Sequence, residues 1–337
     1  MISVLYLIIA ILTLFWLCDY LWKKRWKDVR QTEKLMERLA SNELTLNIDA
    51  LPQQRGIIIC VDSDTVLQAK LLIITLRRLG CSLPIAIFST KEIGEMLQQQ
   101  GVFLIETGLP VKRVEAIVKA PFKEVILVEP NVLFLSNPAL LFDSREYAET
   151  GALFWKDRPD APYISAKKTC DWVSKFIPYR KGDNGILNKT NMSFQSRQLA
   201  VINKMTHKSG LENLRILNEF DGLTGSYLDE KEWLWFAFEV AHENYSFVGV
   251  YPGVVGEKHF NTLCGGTLQT DPAGTFLFTD SILNGDTVAN PTFFAFGTEW
   301  NRSNCLLRVI PKDISPELKA YFNECARIAQ QIKNENP

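Results

Sequence analysis

Apolar and polar positions divide the chain into stretches of different period. From residue 2 to 18 the sequence is uncharged, ISVLYLIIAILTLFWLC, and Asp19 is followed by Tyr20, Leu21 and Trp22. A helix over 1–22 would be about 30 Å long, enough to cross a bilayer core, so this run predicts a retained transmembrane anchor. Residues 23–55 are mostly polar and charged, with Leu35, Met36 and Leu39 at helical spacing and a helix-breaking Pro52; they read as a stem. Beyond Gly56 the period changes. Short apolar runs at 56–61, 84–88, 102–105 and 125–128 have the β-branched character of strands buried on both faces. Between them, 66–79, 91–100 and 111–119 carry apolar residues at three- and four-residue spacing. The alternation predicts an α/β domain built on a doubly wound, mostly parallel sheet flanked by helices. Another apolar run at 152–155, an amphipathic helix at 233–240 and a C-terminal helix at 316–333 follow, the last with Leu318, Phe322, Cys325, Ile328 and Ile332 on one face. The expected organisation is an anchor over 1–22, a stem over 23–55, an α/β domain over 56–311 and a C-terminal helix and tail over 312–337.

Composition narrows the function. The chain has 337 residues, and its 37 Lys and Arg balance 38 Asp and Glu, which argues against a protein built to bind nucleic acid. Seven scattered cysteines without a CxxC indicate neither a zinc site nor a disulfide framework, and read as small buried hydrophobes. Lys23, Lys24, Arg25, Lys27 and Arg30 all follow the apolar N-terminal run, an asymmetry that places the domain on the cytoplasmic side. Glycosylation sequons at Asn188, Asn191, Asn244 and Asn301 leave the luminal side open.

In open α/β sheets ligands bind beyond the carboxyl ends of the strands. Two acidic groups fall there, Asp62 after the first strand and Glu129 after the fourth, the latter in the triplet Glu129-Pro130-Asn131. Asp62 also suits a helix cap. An acid ending a buried strand has less local work to do, so Glu129 is the sharper candidate.

The segments GIIICVDSD, FKEVILVEPNVLFLSNPALLF, YAETGALFWKDR, DEKEWLWFAFEVAHENYSFV and LCGGTLQTDPAG, in this order, resemble the fungal alpha-mannosyltransferases of glycosyltransferase family 71. The resemblance implies a glycosyltransferase A fold, retaining transfer of mannose from GDP-mannose to a hydroxyl of a glycan or glycoprotein, a Golgi location and a divalent metal, usually manganese. The family's Asp-x-Asp metal triplet falls on Glu129, Pro130 and Asn131, so one acid is lengthened and the other neutralised. A late metal-binding His of the family falls on Asp280. Glu129, Asn131 and Asp280 therefore form the implied all-oxygen metal set, suited to manganese or magnesium. Arg113 matches a basic position that reaches the diphosphate, and Asp62, Arg113, Glu129 and Asn131 are the implied donor-binding residues. Asp183, in Gly182-Asp183-Asn184-Gly185, and Glu230, in the run Asp229-Glu230-Lys231-Glu232, are the implied catalytic acids.

Nothing in the residues reads the nucleotide base, so a UDP-sugar donor stays open beside GDP-mannose. The altered triplet, and Ile186 where the family has Gln, keep open a third reading, a transferase-like binding protein without turnover.

Overall fold

The computed structural model describes residues 2–41, 46–97, 99–108, 111–158, 166–177, 195–280, 283–284, 287–288, 291–301, 303 and 305–335. A single helix, α1 (Ile2–Ser41), opens the chain. The sequence predicts a transmembrane span over 1–22 and a separate stem. Among the described residues, however, no helix is long and apolar enough to cross a membrane, so the expected anchor is not borne out. The helix continues without a break through the charged segment after Cys18, while side chains 1–11 lie outside the described residues. Its last turns are not a solvated linker either. Leu35 and Leu39 are buried in the main core, and Thr32 sits 3.4 Å from the Trp172 indole nitrogen.

The predicted strand and helix alternation is present: β1 (Gln53–Cys60), α2 (Val66–Arg78), β2 (Ile85–Ser89), α3 (Lys91–Leu97), β3 (Val102–Glu106), α4 (Arg113–Lys119) and β4 (Phe122–Val128). Then come β5 (Leu133–Phe134), α5 (Arg145–Thr150), β6 (Ala152–Lys156), α6 (Ala166–Val173), β7 (Gln195–Asn203), α7 (Lys208–Glu219), α8 (Asp221–Thr224), α9 (Trp233–Val240) and β8 (Ser246–Phe247). One sheet has the order β3-β2-β1-β4-β7-β6-β8. β3, β2, β1 and β4 pair in parallel, whereas β7 runs antiparallel to both β4 and β6. The sheet is therefore mixed rather than uniformly parallel. Its two faces carry separate cores, as strand alternation requires. Ile58, Val125, Leu127, Phe154 and Ala200 pack under α4, α7 and α9. Ile57, Ile59, Ile126, Val128 and Trp155 pack under α2. Close approach explains Gly56, whose missing Cβ would lie 2.3 Å from the Phe122 ring.

A second sheet is absent from the sequence-based expectation. It comprises β9 (Gly253–His259), β10 (Thr262–Thr270), β11 (Phe276–Thr279), β14 (Phe293–Phe296), β15 (Cys305–Leu307) and β16 (Lys312–Asp313), together with β5. The short pair β12 (Leu283–Asn284) and β13 (Thr287–Val288) stands apart. Cys264 on β10 and Cys305 on β15 are cross-strand partners joined as a disulfide. For these two cysteines this corrects the expectation of small buried hydrophobes. The last helix, α10 (Pro316–Glu335), packs on α2 through Ile328, Ala329 and Ile332 against Leu71.

One buried cation ties the strands to α4. The Lys204 ammonium donates to the carbonyls of Ile117 (2.9 Å) and Ala120 (2.7 Å), satisfying acceptors that a helix end leaves open. Burial pulls its pKa down to about 8. Lys204→Met is expected to lower the unfolding free energy by about 2 kcal/mol, since those carbonyls would be left buried without a donor. A urea midpoint unchanged from the parent would disprove this role.

Candidate active site

The carboxyl ends of β1, β4 and β6 lie on one edge of the mixed sheet, and antiparallel β7 starts there. Asp62 follows β1 and forms a local cap. The Thr65 hydroxyl donates to its carboxylate at 2.7 Å, and the Asp62 amide donates back to the Thr65 hydroxyl at 3.1 Å. That engagement is the reciprocal arrangement of a helix start, and it keeps Asp62 exposed.

Glu129 leaves β4 in a tight turn. Its amide donates to the Gln198 carbonyl at 3.0 Å, and its own carbonyl accepts from Val132 at 3.2 Å. Its carboxylate lies 3.0 Å from Nε of Arg113, at ion-pair distance but without hydrogen-bond alignment, for that buried Nε has no hydrogen-bond partner. Arg113 is the first residue of α4 and donates through Nη2 to the Arg197 carbonyl at 2.7 Å. Arg197 in turn pairs with Glu230 at 3.1 Å. The Cys60 thiol, at the end of β1, is pushed up to about 12 by burial; Arg113 opposes that rise, whereas Glu129 and Glu230 add to it. Three predicted residues, Arg113, Glu129 and Glu230, thus meet in one electrostatic neighbourhood. Asn131 stands in the turn beyond Glu129, half-buried.

Asp280 follows β11 on the second sheet. One carboxylate oxygen accepts the Thr267 amide at 2.9 Å and the other accepts the Gln198 side-chain amide. It is 3% exposed; burial pushes its pKa up, the Thr267 N–H opposes, and the neighbouring charges are Asp157 and Arg158. A divalent cation needs several oxygens with unspent lone pairs and net negative charge. Here Glu129 is neutralised by Arg113, Asn131 carries no charge, and both Asp280 oxygens are already accepting N–H groups. No group of three or more His, Cys, Asp or Glu side chains able to hold a metal ion occurs among the described residues. The donor set as arranged does not fit the implied metal. Asp183 lies outside the described residues.

A second buried group escapes the sequence reading. Glu232 is 2% exposed, and its Oε2 accepts the Gln195 amide at 3.2 Å and the Trp235 indole N–H. Its Oε1 is buried without a hydrogen-bond partner. Burial pushes its pKa up to about 8, against the pull of adjacent Lys231. The Lys231 ammonium pairs with Asp157, at the end of β6. In the run Asp229 to Glu232, sequence reasoning favours Glu230, yet Glu230 is partly exposed and Glu232 is enclosed. Helix α9 is buried all round, so its pattern names no inward face for the residues leading into it.

The start of β7 joins these groups. Gln195 binds Glu232, Arg197 binds Glu230 and Arg113, and Gln198 binds Glu129 and Asp280. Adjacent Arg197 and Gln198 reach different partners across an irregular register. Phe154 lies opposite Ala200 and Lys156 opposite Gln195, two steps on β6 against five on β7. Such a bulge re-aims side chains beside a site.

The carboxyl edge of the mixed sheet thus gathers two guanidinium groups, each paired with a carboxylate. Residues 108–269 match the family model described as "Mannosyltransferase putative". Two proteins of Candida albicans are similar to the chain. "Putative alpha-1,3-mannosyltransferase MNN12" is 27% identical over 148 residues, 40% of this chain and 18% of that protein. "Putative alpha-1,3-mannosyltransferase MNN15" is 28% identical over 163 residues, 43% of this chain and 21% of that protein. The resemblance to fungal mannosyltransferases is thereby borne out over the central part of the chain, which spans about a fifth of the length of these relatives. Among solved structures, the glycosyltransferase GlyE of Streptococcus pneumoniae TIGR4 is 13% identical with a TM-score of 0.38, covering 58% of this chain and 45% of that one. The galactosyltransferase LgtC is 10% identical with a TM-score of 0.36, covering 57% and 73%. Likenesses of that size carry no weight beside the strand order itself.

Proposed function

We propose that the chain is a glycosyltransferase of the A type that moves mannose from GDP-mannose to a hydroxyl of a glycan or glycoprotein, with retention at the anomeric carbon. The observation that carries this reading is the family match over 108–269, because that span holds Arg113, Glu129, Arg197, Glu230 and Glu232. Transfer breaks the bond from sugar C1 to the diphosphate, so negative charge grows on the leaving group. Cationic groups fixed beforehand stabilise that charge without reorganising. Arg113 and Arg197 are held in this way by Glu129, Glu230 and the β7 backbone. The new bond forms to the acceptor oxygen, whose proton leaves with the diphosphate. The disulfide between Cys264 and Cys305 supports maturation in an oxidising compartment, as a Golgi location would supply, against the side favoured by the basic flank.

The purified protein is expected to release GDP from GDP-mannose in the presence of a mannoside acceptor. Glu129→Ala should slow this about tenfold or more, because Arg113 loses the carboxylate that orients it. Turnover confined to UDP-sugars would replace the donor, and none with any donor would leave a binding protein.

A further inference from the structure

We propose that this chain holds the diphosphate of its donor with two guanidinium groups, Arg113 and Arg197, in place of a divalent cation. The inference rests on the transferase reading above and names how its ligand is bound.

A cation would have to be drawn by negative charge, and the edge offers little. Glu129 faces Arg113 at 3.0 Å and Glu230 faces Arg197 at 3.1 Å. Each Asp280 oxygen already accepts an N–H, from Thr267 and from Gln198, and the residue is only 3% exposed. Asn131 adds an amide where a second acid would be needed. Lys231 cancels Asp157.

For an anion the same edge is better furnished. Each guanidinium has five N–H donors. Arg113 spends Nη2 on the Arg197 carbonyl, and its buried Nε lacks an aligned acceptor although the side chain is only 10% exposed. An orphaned donor of this kind is costly unless a ligand satisfies it. The Arg197 side chain is 47% exposed and spends Nη2 on Glu230, leaving further donors toward solvent. Because Arg113 grips the Arg197 backbone, the two forks are positioned together. Planar guanidinium forks match phosphate oxygens in pairs, and a diphosphate outcompetes singly charged carboxylates for them.

The test is calorimetric titration of the full chain with GDP, once in EDTA and once in manganese chloride. GDP is expected to bind in EDTA within about threefold of its affinity in manganese. Arg197→Gln, at a half-exposed position where folding is not at risk, should weaken binding about tenfold in both buffers. Arg113→Lys, which keeps the charge and loses the fork, should weaken it as well. Binding only in manganese, or wild-type affinity in Arg197→Gln, would overturn the inference and leave the transferase reading standing. Absence of GDP and UDP binding in both buffers would overturn both.

Discussion

Replacing Glu232 with alanine is expected to cost about 3 kcal/mol of folding stability and at least a hundredfold in transfer rate. The substitution strands the Gln195 amide and the Trp235 indole N–H in a dry interior, and each unsatisfied buried donor costs about 1–3 kcal/mol. It also releases the start of β7, from which Arg197 and Gln198 are aimed; small misplacements of positioning groups are expensive in rate. Glu232→Gln separates the two roles of the carboxyl. The amide keeps an acceptor for both N–H groups and cannot ionise. In the folded chain the acid titrates at about 8, raised from its ordinary 4.5 by burial, with Lys231 and Asp157 as the charged neighbours acting in opposite directions. A raised acid binds its proton more tightly when folded, so its stabilising contribution is complete below the unfolded value. It is lost as pH climbs through the folded one. The wild-type melting temperature should therefore fall between pH 5 and pH 8 by about 4 °C or more, and that of Glu232→Gln should fall distinctly less, its remaining slope coming from Asp280, whose acid is also raised by burial. Parallel slopes for the two proteins would refute a buried, protonated Glu232.

The second large effect concerns the disulfide. Replacing both Cys264 and Cys305 with serine should lower stability by about 3–4 kcal/mol, because the bridge closes a segment with a separation of 41 residues and a cross-link restricts the unfolded chain more the longer the loop it closes. The closed segment includes Thr267 and Asp280, so the variant should also loosen the second sheet against Gln198. Guanidinium unfolding gives the test. Wild type in excess reductant should match the double variant, and a reductant-insensitive midpoint in wild type would show that the bridge bears no load.

What the sequence disclosed follows from how each element is buried. β1, β2, β3 and β4 are parallel and covered on both faces, so each appears as an apolar run, and α2, α3 and α4 show the helical period between them. Glu129 was legible because an acid directly after such a run has few other reasons to be there. The second sheet was not, since β9 and β10 are interrupted by Gly256, Gly265 and Gly266 and two of its other strands have only two residues. Glycine looks like loop where it permits close approach. A Cβ on Gly256 would lie 2.0 Å from the Cys264 carbonyl. The pairing of Cys264 with Cys305 depends on the register of β10 against β15, which spacing alone does not encode. Gln195 to Gln198 carry no motif or period that marks them in the sequence, for their roles arise from a bulge and from partners scattered between Arg113 and Asp280.

That short stretch of β7 also bears on how such a site can change over generations. Three of its residues answer to different partners far away in the chain, so a substitution there is tolerated only if a distant position shifts with it. Gln195, Arg197 and Gln198 should accordingly drift slowly and in step with Glu232, Glu230 and Asp280.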